Sequence, residues 1–200
     1  ITCRDWSSDV CSSDLVLRML ALLLPGALDA DAMNGLAARV GSDVPFFMQA
    51  VCARVSGRGE IVVPVSPRLD VSYVLVEPGF PVATAEAYSR LHGYRKINGI
   101  HAGEPSGDDD SLSVYRAGLP AEWPCRNDFY TVLSESDTRL SRAVGMLRDA
   151  GAASASMSGS GSTLFGVFTS AASAEAAAVA LSLHYTTHLV FPLAQPTVPI

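Results

Sequence analysis

The chain has 200 residues with a formal net charge of -6, and 48% of them are hydrophobic against 17% charged. That is enough apolar material for one large core or two small ones, and the acidic balance argues against a surface that gathers nucleic acid or anionic membrane through clustered Lys and Arg. It leaves a nucleotide ligand open, because backbone N–H groups, a magnesium ion and one or two cations suffice to hold a triphosphate.

The first long apolar run, 16–24, is too short to span a bilayer and contains Arg18. No basic, apolar and small-residue segments follow one another in the order of a secretory leader. Cys3, Cys11, Cys52 and Cys125 form no C-x-x-C pair and have no histidine at zinc spacing, so a reducing cytoplasm is expected.

Residues 1–15, ITCRDWSSDVCSSDL, hold a near-repeat of Ser and Asp with neither helical nor strand periodicity. The run from Asp5 to Leu15 resembles the translation of a sequencing-library adapter. The expectation is that 1–15 stands outside the fold as a non-native tail, that Cys3 and Cys11 carry no function, and that natural sequence begins near Val16. Residues 16–24 are apolar nearly all round and predict a buried helix stopped by Pro25 and Gly26. Asp29 reads as the N-cap of a helix through Val40, with Gly41 as its stop and Ala32, Met33, Leu36 and Val40 at helical spacing. The β-branched stretches 51–55 and 60–65 flank Ser56-Gly57-Arg58-Gly59 and predict two strands around a turn. Pro64, Pro67 and the change of texture over 66–70 suggest a boundary between a domain at 16–66 and another at 67–200.

Beyond the boundary, 71–77 reads as a strand and 78–82 as a loop into a helix that Thr84 caps. Residues 93–112, rich in Gly, Asp and Ser, read as a mobile surface insertion. Helices are expected over 128–133 and 135–150, and strands over 153–157 and 163–169. A helix of small residues over 171–183 and a last strand over 188–191 close the chain. Strands and helices in this order predict an α+β sandwich with helices on one face of an antiparallel sheet.

Three places could carry chemistry. In Gly41-Ser42-Asp43-Val44-Pro45 a carboxylate is held in a turn, where it could accept a proton from a substrate hydroxyl. The same pattern also describes an Asx-turn that only ends a helix. The alternating Ser158-Gly159-Ser160-Gly161-Ser162 permits close backbone approach and could turn several N–H groups toward an anion; it equally describes a flexible hairpin. It is neither a GxxxxGK[ST] loop nor a dinucleotide fingerprint. Thr84 and Tyr88, one helical turn apart, could offer a hydroxyl and a ring to one ligand, or could be a cap and a core tyrosine. His92, His101, His184 and His188 have no partners at catalytic or metal spacing and read as surface or structural, and Asp108, Asp109 and Asp110 read as a solvated face. No residue is assigned to a metal.

Taken in order, four segments resemble the GHMP kinases. They are GSDVPFF at 41–47 with the turn Gly57-Arg58-Gly59-Glu60, the helix start Thr84 to Tyr88, Arg126-Asn127-Asp128-Phe129, and MSGSGSTLFG at 157–166. Tyr130 stands where the third of these usually has Glu. The resemblance implies a truncated piece of such a kinase, the tail of an N-terminal α/β domain followed by a ferredoxin-like α+β C-terminal domain. It implies ATP-dependent phosphorylation, with Mg²⁺, of the 2-hydroxyl of 4-diphosphocytidyl-2-C-methyl-D-erythritol, a step of the non-mevalonate route to isoprenoid precursors.

Within that resemblance Asp43 takes the place of the catalytic aspartate, Thr84 and Tyr88 lie near the cytidine, and Gly159, Ser160, Gly161 and Ser162 lie beside the phosphates. The implied partners are a small cytidine-diphosphate substrate and ATP, without nucleic acid or membrane. The family's main ATP loop, P-x-G-x-G-L-G-G-G-S-S-D, and a lysine that partners the aspartate are expected upstream of Val16, so the 200-residue chain by itself is expected to be inactive. Another GHMP small-molecule kinase, a non-catalytic ferredoxin-like binding module and a degenerate homologue remain as alternatives.

Overall fold

The computed structural model describes residues 10–24, 26, 29–49, 52–99 and 111–194. They fall into two compact units divided between Pro67 and Arg68, the larger being Arg68–Pro192.

The smaller unit begins with helix α1, Val10–Leu23, so regular structure starts inside the stretch that lacks periodicity in sequence. Asp14 is buried there and pairs with Arg18 one turn on, at 3.4 Å. Arg18 also donates to the Phe47 carbonyl. The expected burial of this helix is corrected. Leu17 is buried, whereas Val16, Met19, Leu20, Leu22, Leu23 and Leu24 are exposed. Pro25 lies outside the described residues.

Helix α2, Ala30–Val40, starts where a carboxylate can replace a missing backbone partner: Asp29 accepts from the Ala32 N–H at 2.7 Å. Its inward face is Met33 and Ala37, while Ala32 and Val40 are exposed. A short helix that sequence did not indicate, α3 at Val44–Gln49, follows and buries Val44 and Pro45. Leu17, Met33, Ala37 and Val44 form the unit's small core, with Leu36 and Met48 at its edge. Strands β1, Ala53–Ser56, and β2, Ile61–Pro64, pair antiparallel with Ser56 opposite Ile61. Val51, expected to open the first strand, lies outside the described residues.

The larger unit is built on strands β3 (Ser72–Glu77), β4 (Ser154–Met157), β5 (Leu164–Phe168) and β6 (Thr186–Val190). They lie in the order β4-β5-β3-β6, and every neighbouring pair is antiparallel. Helices α4 (Thr84–Ile97), α5 (Ser111–Ala117), α6 (Asp128–Ser134) and α7 (Thr138–Asp149) lie between β3 and β4, and α8 (Ala171–Ser182) lies between β5 and β6. This is the α+β arrangement expected, with the strand order of a ferredoxin-like sheet.

Alternation along β3 buries Ser72, Val74 and Val76 on one face. Val76 pairs with Leu164 and Val74 with Gly166, so these positions share that face with Ala155 and Met157 of β4. Helix α7 covers β4 and β5 with Leu140, Ala143, Val144 and Leu147, which recur at helical spacing, and α8 covers β3 and β6 with Ala174, Ala177 and Leu181. Helix α4 continues through 93–97, where sequence suggested an insertion; 100–110, including His101 and Asp108 to Asp110, lie outside the described residues. No helix among the described residues is long and apolar enough to cross a membrane.

Candidate functional site

The glycine–serine loop joins β4 to β5 at the end of the sheet where β3 leads into α4. Two backbone bonds shape it: Ser158 N–H to the Thr163 carbonyl at 2.9 Å, and Gly161 N–H to the Ser158 carbonyl at 3.1 Å. The amides of Gly159, Ser160 and Ser162 are not used in those bonds. At Gly161 φ is +90°, a conformation that calls for glycine, and a Cβ there would come 2.7 Å from the Met157 sulfur.

Two side chains outside the loop, Asn127 and Thr84, and one within it, Ser162, hold it in place. Asn127 donates from Nδ2 to the carbonyls of Met157 and Gly159, at 2.7 and 2.8 Å. Its Oδ1 meanwhile accepts from the Tyr130 N–H at 2.9 Å, capping α6. The buried Ser162 hydroxyl donates to the Phe80 carbonyl, tying the loop to the segment before α4. Thr84 Oγ1 lies 3.3 Å from Ser160 Oγ, within hydrogen-bond distance.

Thr84 departs from expectation. The N-cap of α4 is Ala83, without a side-chain cap bond, and Thr84 is the first helical residue. Its hydroxyl faces the loop instead. One turn along the helix Tyr88 is 60% exposed, and its ring meets Phe129 edge-on with centroids 4.9 Å apart. An exposed ring braced on one edge keeps a face for a planar ligand. Thr84, Tyr88 and Gly159 to Ser162 therefore gather at one end of the larger unit.

Asp43 belongs to the smaller unit. It sits exposed in the turn Ser42-Asp43 that opens α3, between Gly41 and the buried Val44. The Val44 N–H closes this turn onto the Gly41 carbonyl at 3.2 Å. In the turn between β1 and β2 of the same unit, Glu60 accepts from the Arg58 N–H at 2.6 Å. Its own backbone N–H and that of Arg58 hold the Glu60 carboxyl below its ordinary range.

Sequence reasoning gave no role to Asn127, Phe80 or Phe129. An Asn directly ahead of a helix is a recognisable cap signal, but its second attachment, across the sheet end to the loop, has no local signature. Phe80 also lines a cleft of about 270 Å³ with Pro78, Arg139, Arg142, His184 and Tyr185. The Arg139 guanidinium lies 3.7 Å from the Phe80 ring centroid. None of the residues picked from sequence lines that cleft. Among the described residues no three His, Cys, Asp or Glu side chains stand together as a metal site. His188 pairs with Glu77 at 3.4 Å, an ion pair only when the imidazole is protonated.

Comparison with known proteins gives concordant matches. Residues 121–187 match the family described as GHMP kinases C terminal. A 4-diphosphocytidyl-2-C-methyl-D-erythritol kinase of Nitratidesulfovibrio vulgaris is 35% identical over 174 residues, covering 84% of this chain and 58% of that protein. The protein of the same name from Anaeromyxobacter dehalogenans is 37% identical over 179 residues, covering 88% of this chain and 52% of its own length. The chain thus spans somewhat over half the length of these relatives. A solved 4-(cytidine 5'-diphospho)-2C-methyl-D-erythritol kinase superposes with a TM-score of 0.70 at 26% identity, over 90% of this chain and 63% of that one. A homoserine kinase from Cytophaga hutchinsonii superposes with a TM-score of 0.64 at 16% identity, a likeness of fold alone.

Proposed function

This chain carries the C-terminal domain of the GHMP kinases and so belongs to that family, and on that premise we propose that its complete gene product phosphorylates 4-diphosphocytidyl-2-C-methyl-D-erythritol on the 2-hydroxyl with ATP. The observation that carries the reading is the contact of Thr84 with Ser160. It sets the helix bearing the exposed Tyr88 beside the glycine–serine loop, so a ring for a base and amides for phosphates share one end of the sheet.

In this reading the cytosine stacks on the free face of Tyr88, braced by Phe129, and the Thr84 hydroxyl contributes to the same subsite. Base–aromatic stacking of this kind is worth about 1–3 kcal/mol per base. The amides of Gly159, Ser160 and Ser162 face the phosphates, where N–H donors fixed in advance cost no reorganisation during transfer. Phosphoryl transfer asks the protein mainly to place the nucleophile and offset charge. Asp43 is the carboxylate for the first task, accepting or orienting the proton of the attacking hydroxyl.

Magnesium, when bound, offsets charge on the transferring group. An acidic chain acting on soluble phosphorylated substrates fits a cytoplasmic enzyme with no nucleic-acid or membrane partner.

The test is a coupled assay of the complete gene product with ATP and a substrate panel. Phosphorylation of the cytidine-diphosphate alcohol in preference to homoserine or mevalonate supports the reading. Binding of cytidine nucleotide without transfer to any alcohol would favour a non-catalytic module instead.

A further inference from the structure

The turn between β1 and β2 has a feature that strand pairing does not require. Two glycines and a glutamate, Gly57, Gly59 and Glu60, shape it. Its inside is closed by Glu60, whose carboxylate accepts from the Arg58 N–H at 2.6 Å. At Gly57 a Cβ would come 2.5 Å from that same carboxylate, so this glycine makes room for Glu60.

Gly59 faces the other way. A Cβ on it would lie 2.3 Å from the Ser42 carbonyl oxygen, 2.9 Å from the Ser42 carbonyl carbon and 3.0 Å from the Ser42 Cβ. Those first two distances are to backbone, which cannot swing aside as the end of a side chain can. Gly59 also has φ of +119°, a conformation L side chains rarely adopt. Ser42 is bonded directly to Asp43. On its other side Asp43 is followed by Val44 and Pro45, both buried. The backbone around an exposed carboxylate is therefore fixed from both directions: from one by core burial, from the other by contact with a bare glycine.

We propose that Gly59 is a positioning residue for Asp43, its missing side chain letting the turn lie against the Ser42 backbone and so set the direction of the Asp43 carboxylate. This rests on the reading of Asp43 as the carboxylate that handles the substrate hydroxyl, and it extends that reading to a residue that touches no substrate. Glu60 supports the same placement indirectly by closing the turn. Any side chain at 59 must displace Ser42, and with it Asp43, by a distance on the scale of the overlap. Misplacement of a catalytic group by about 1 Å can cost about 10²-fold in rate.

The experiment is a double-mutant cycle in the complete gene product with Gly59→Ala and Asp43→Asn. Gly59→Ala is expected to lower kcat by about 10²-fold with KM changed less than about threefold. In the Asp43→Asn background the same change is expected to cost nothing further, because Gly59 acts only through Asp43. A full kcat for Gly59→Ala, or equal losses in both backgrounds, would overturn the inference. Should Gly59→Ala fail to fold, Glu60→Gln loosens the turn without adding an atom near Ser42; it should give a smaller fall that also disappears in the Asp43→Asn background. A loss that persists there counts against the proposal.

Failure of the kinase reading is distinguishable. If the protein transfers no phosphate, the Ser42 amide and the Asp43 carboxyl carbon are followed by NMR. Both signals should move in Gly59→Ala while those of Met33 and Ala37 stay in place, and unmoved signals at Ser42 and Asp43 contradict the proposal.

Discussion

Asn127 holds Gly159: its Nδ2 donates to the Gly159 carbonyl at 2.8 Å and to that of Met157 at 2.7 Å, while its Oδ1 caps the helix that follows. One side chain thus fixes the start of α6 and the near side of the glycine–serine loop. Replacing it with Ala removes a cap worth about 0.5–2 kcal/mol and frees two carbonyls. Asn127→Ala should lower Tm and speed hydrogen exchange across 158–162, and it should weaken nucleotide binding more than it weakens binding of free cytidine. Calorimetry and exchange mass spectrometry check this directly.

Tyr88 is exposed, and its ring meets Phe129 edge-on. Tyr88→Ala should therefore leave Tm nearly unchanged. Loss of about 1–3 kcal/mol of stacking corresponds to roughly 5- to 150-fold weaker binding of a cytidine diphosphate. Tyr88→Phe keeps the ring and should bind close to wild type. Titration calorimetry with cytidine diphosphate separates the two variants.

Asp43→Asn keeps the shape of the side chain and removes its charge. In the complete gene product it should lower kcat by about 10²–10⁴-fold, the range of a lost general base, with little change in substrate affinity. Steady-state kinetics with binding measured separately decides the point, and an unchanged kcat removes Asp43 from the chemistry.

The Asp137 carboxylate caps α7 and is paired with the Arg139 guanidinium, with Nη2 to Oδ2 at 2.5 Å. That side-chain bond, helped by the Arg139 backbone N–H, holds its carboxyl below the ordinary value of 3.8. A depressed folded-state value means the stabilisation is complete above the unfolded-state pKa and is lost as pH falls through the folded one. The Tm gap between wild type and Asp137→Asn should be full at neutral pH and begin to narrow once pH drops below about 4, closing as pH falls further through the folded-state value. Thermal melts across pH read the closure.

Leu147, on the inner face of α7, is fully buried and close enough to Gly166 that a Cβ there would come 2.9 Å from its Cδ2. Leu147→Ala should cost about 2–5 kcal/mol. Chemical denaturation measures it, provided the transition of the larger unit is followed by its own probe.

Much of this was legible in sequence where the physics is local. Asp29 before an amphipathic run, the β-branched stretches around Gly57 to Gly59, and the strands on either side of 158–162 are set by capping, turn chemistry and alternation. The readings that failed depended on distant partners. Residues 16–24 are apolar nearly all round, yet burial follows from what packs against a helix, and most of the leucines there are exposed. Thr84 has the chemistry of a cap, but the chain enters the helix one residue earlier, leaving the hydroxyl for Ser160, 76 positions away. Helix α3 is only six residues long, too short for a periodic pattern to announce it. The second role of Asn127 and the contact of Gly59 with Ser42 arise only when separate segments meet.

The most direct test of the account is transfer of the γ-phosphoryl group of ATP to 4-diphosphocytidyl-2-C-methyl-D-erythritol by the complete gene product, with the product identified by ³¹P NMR. The account predicts a new phosphomonoester at the 2-hydroxyl, formed in preference to homoserine phosphate and nearly abolished by Asp43→Asn. Binding of the cytidine compound with no phosphomonoester formed, or preferential phosphorylation of homoserine, would contradict it.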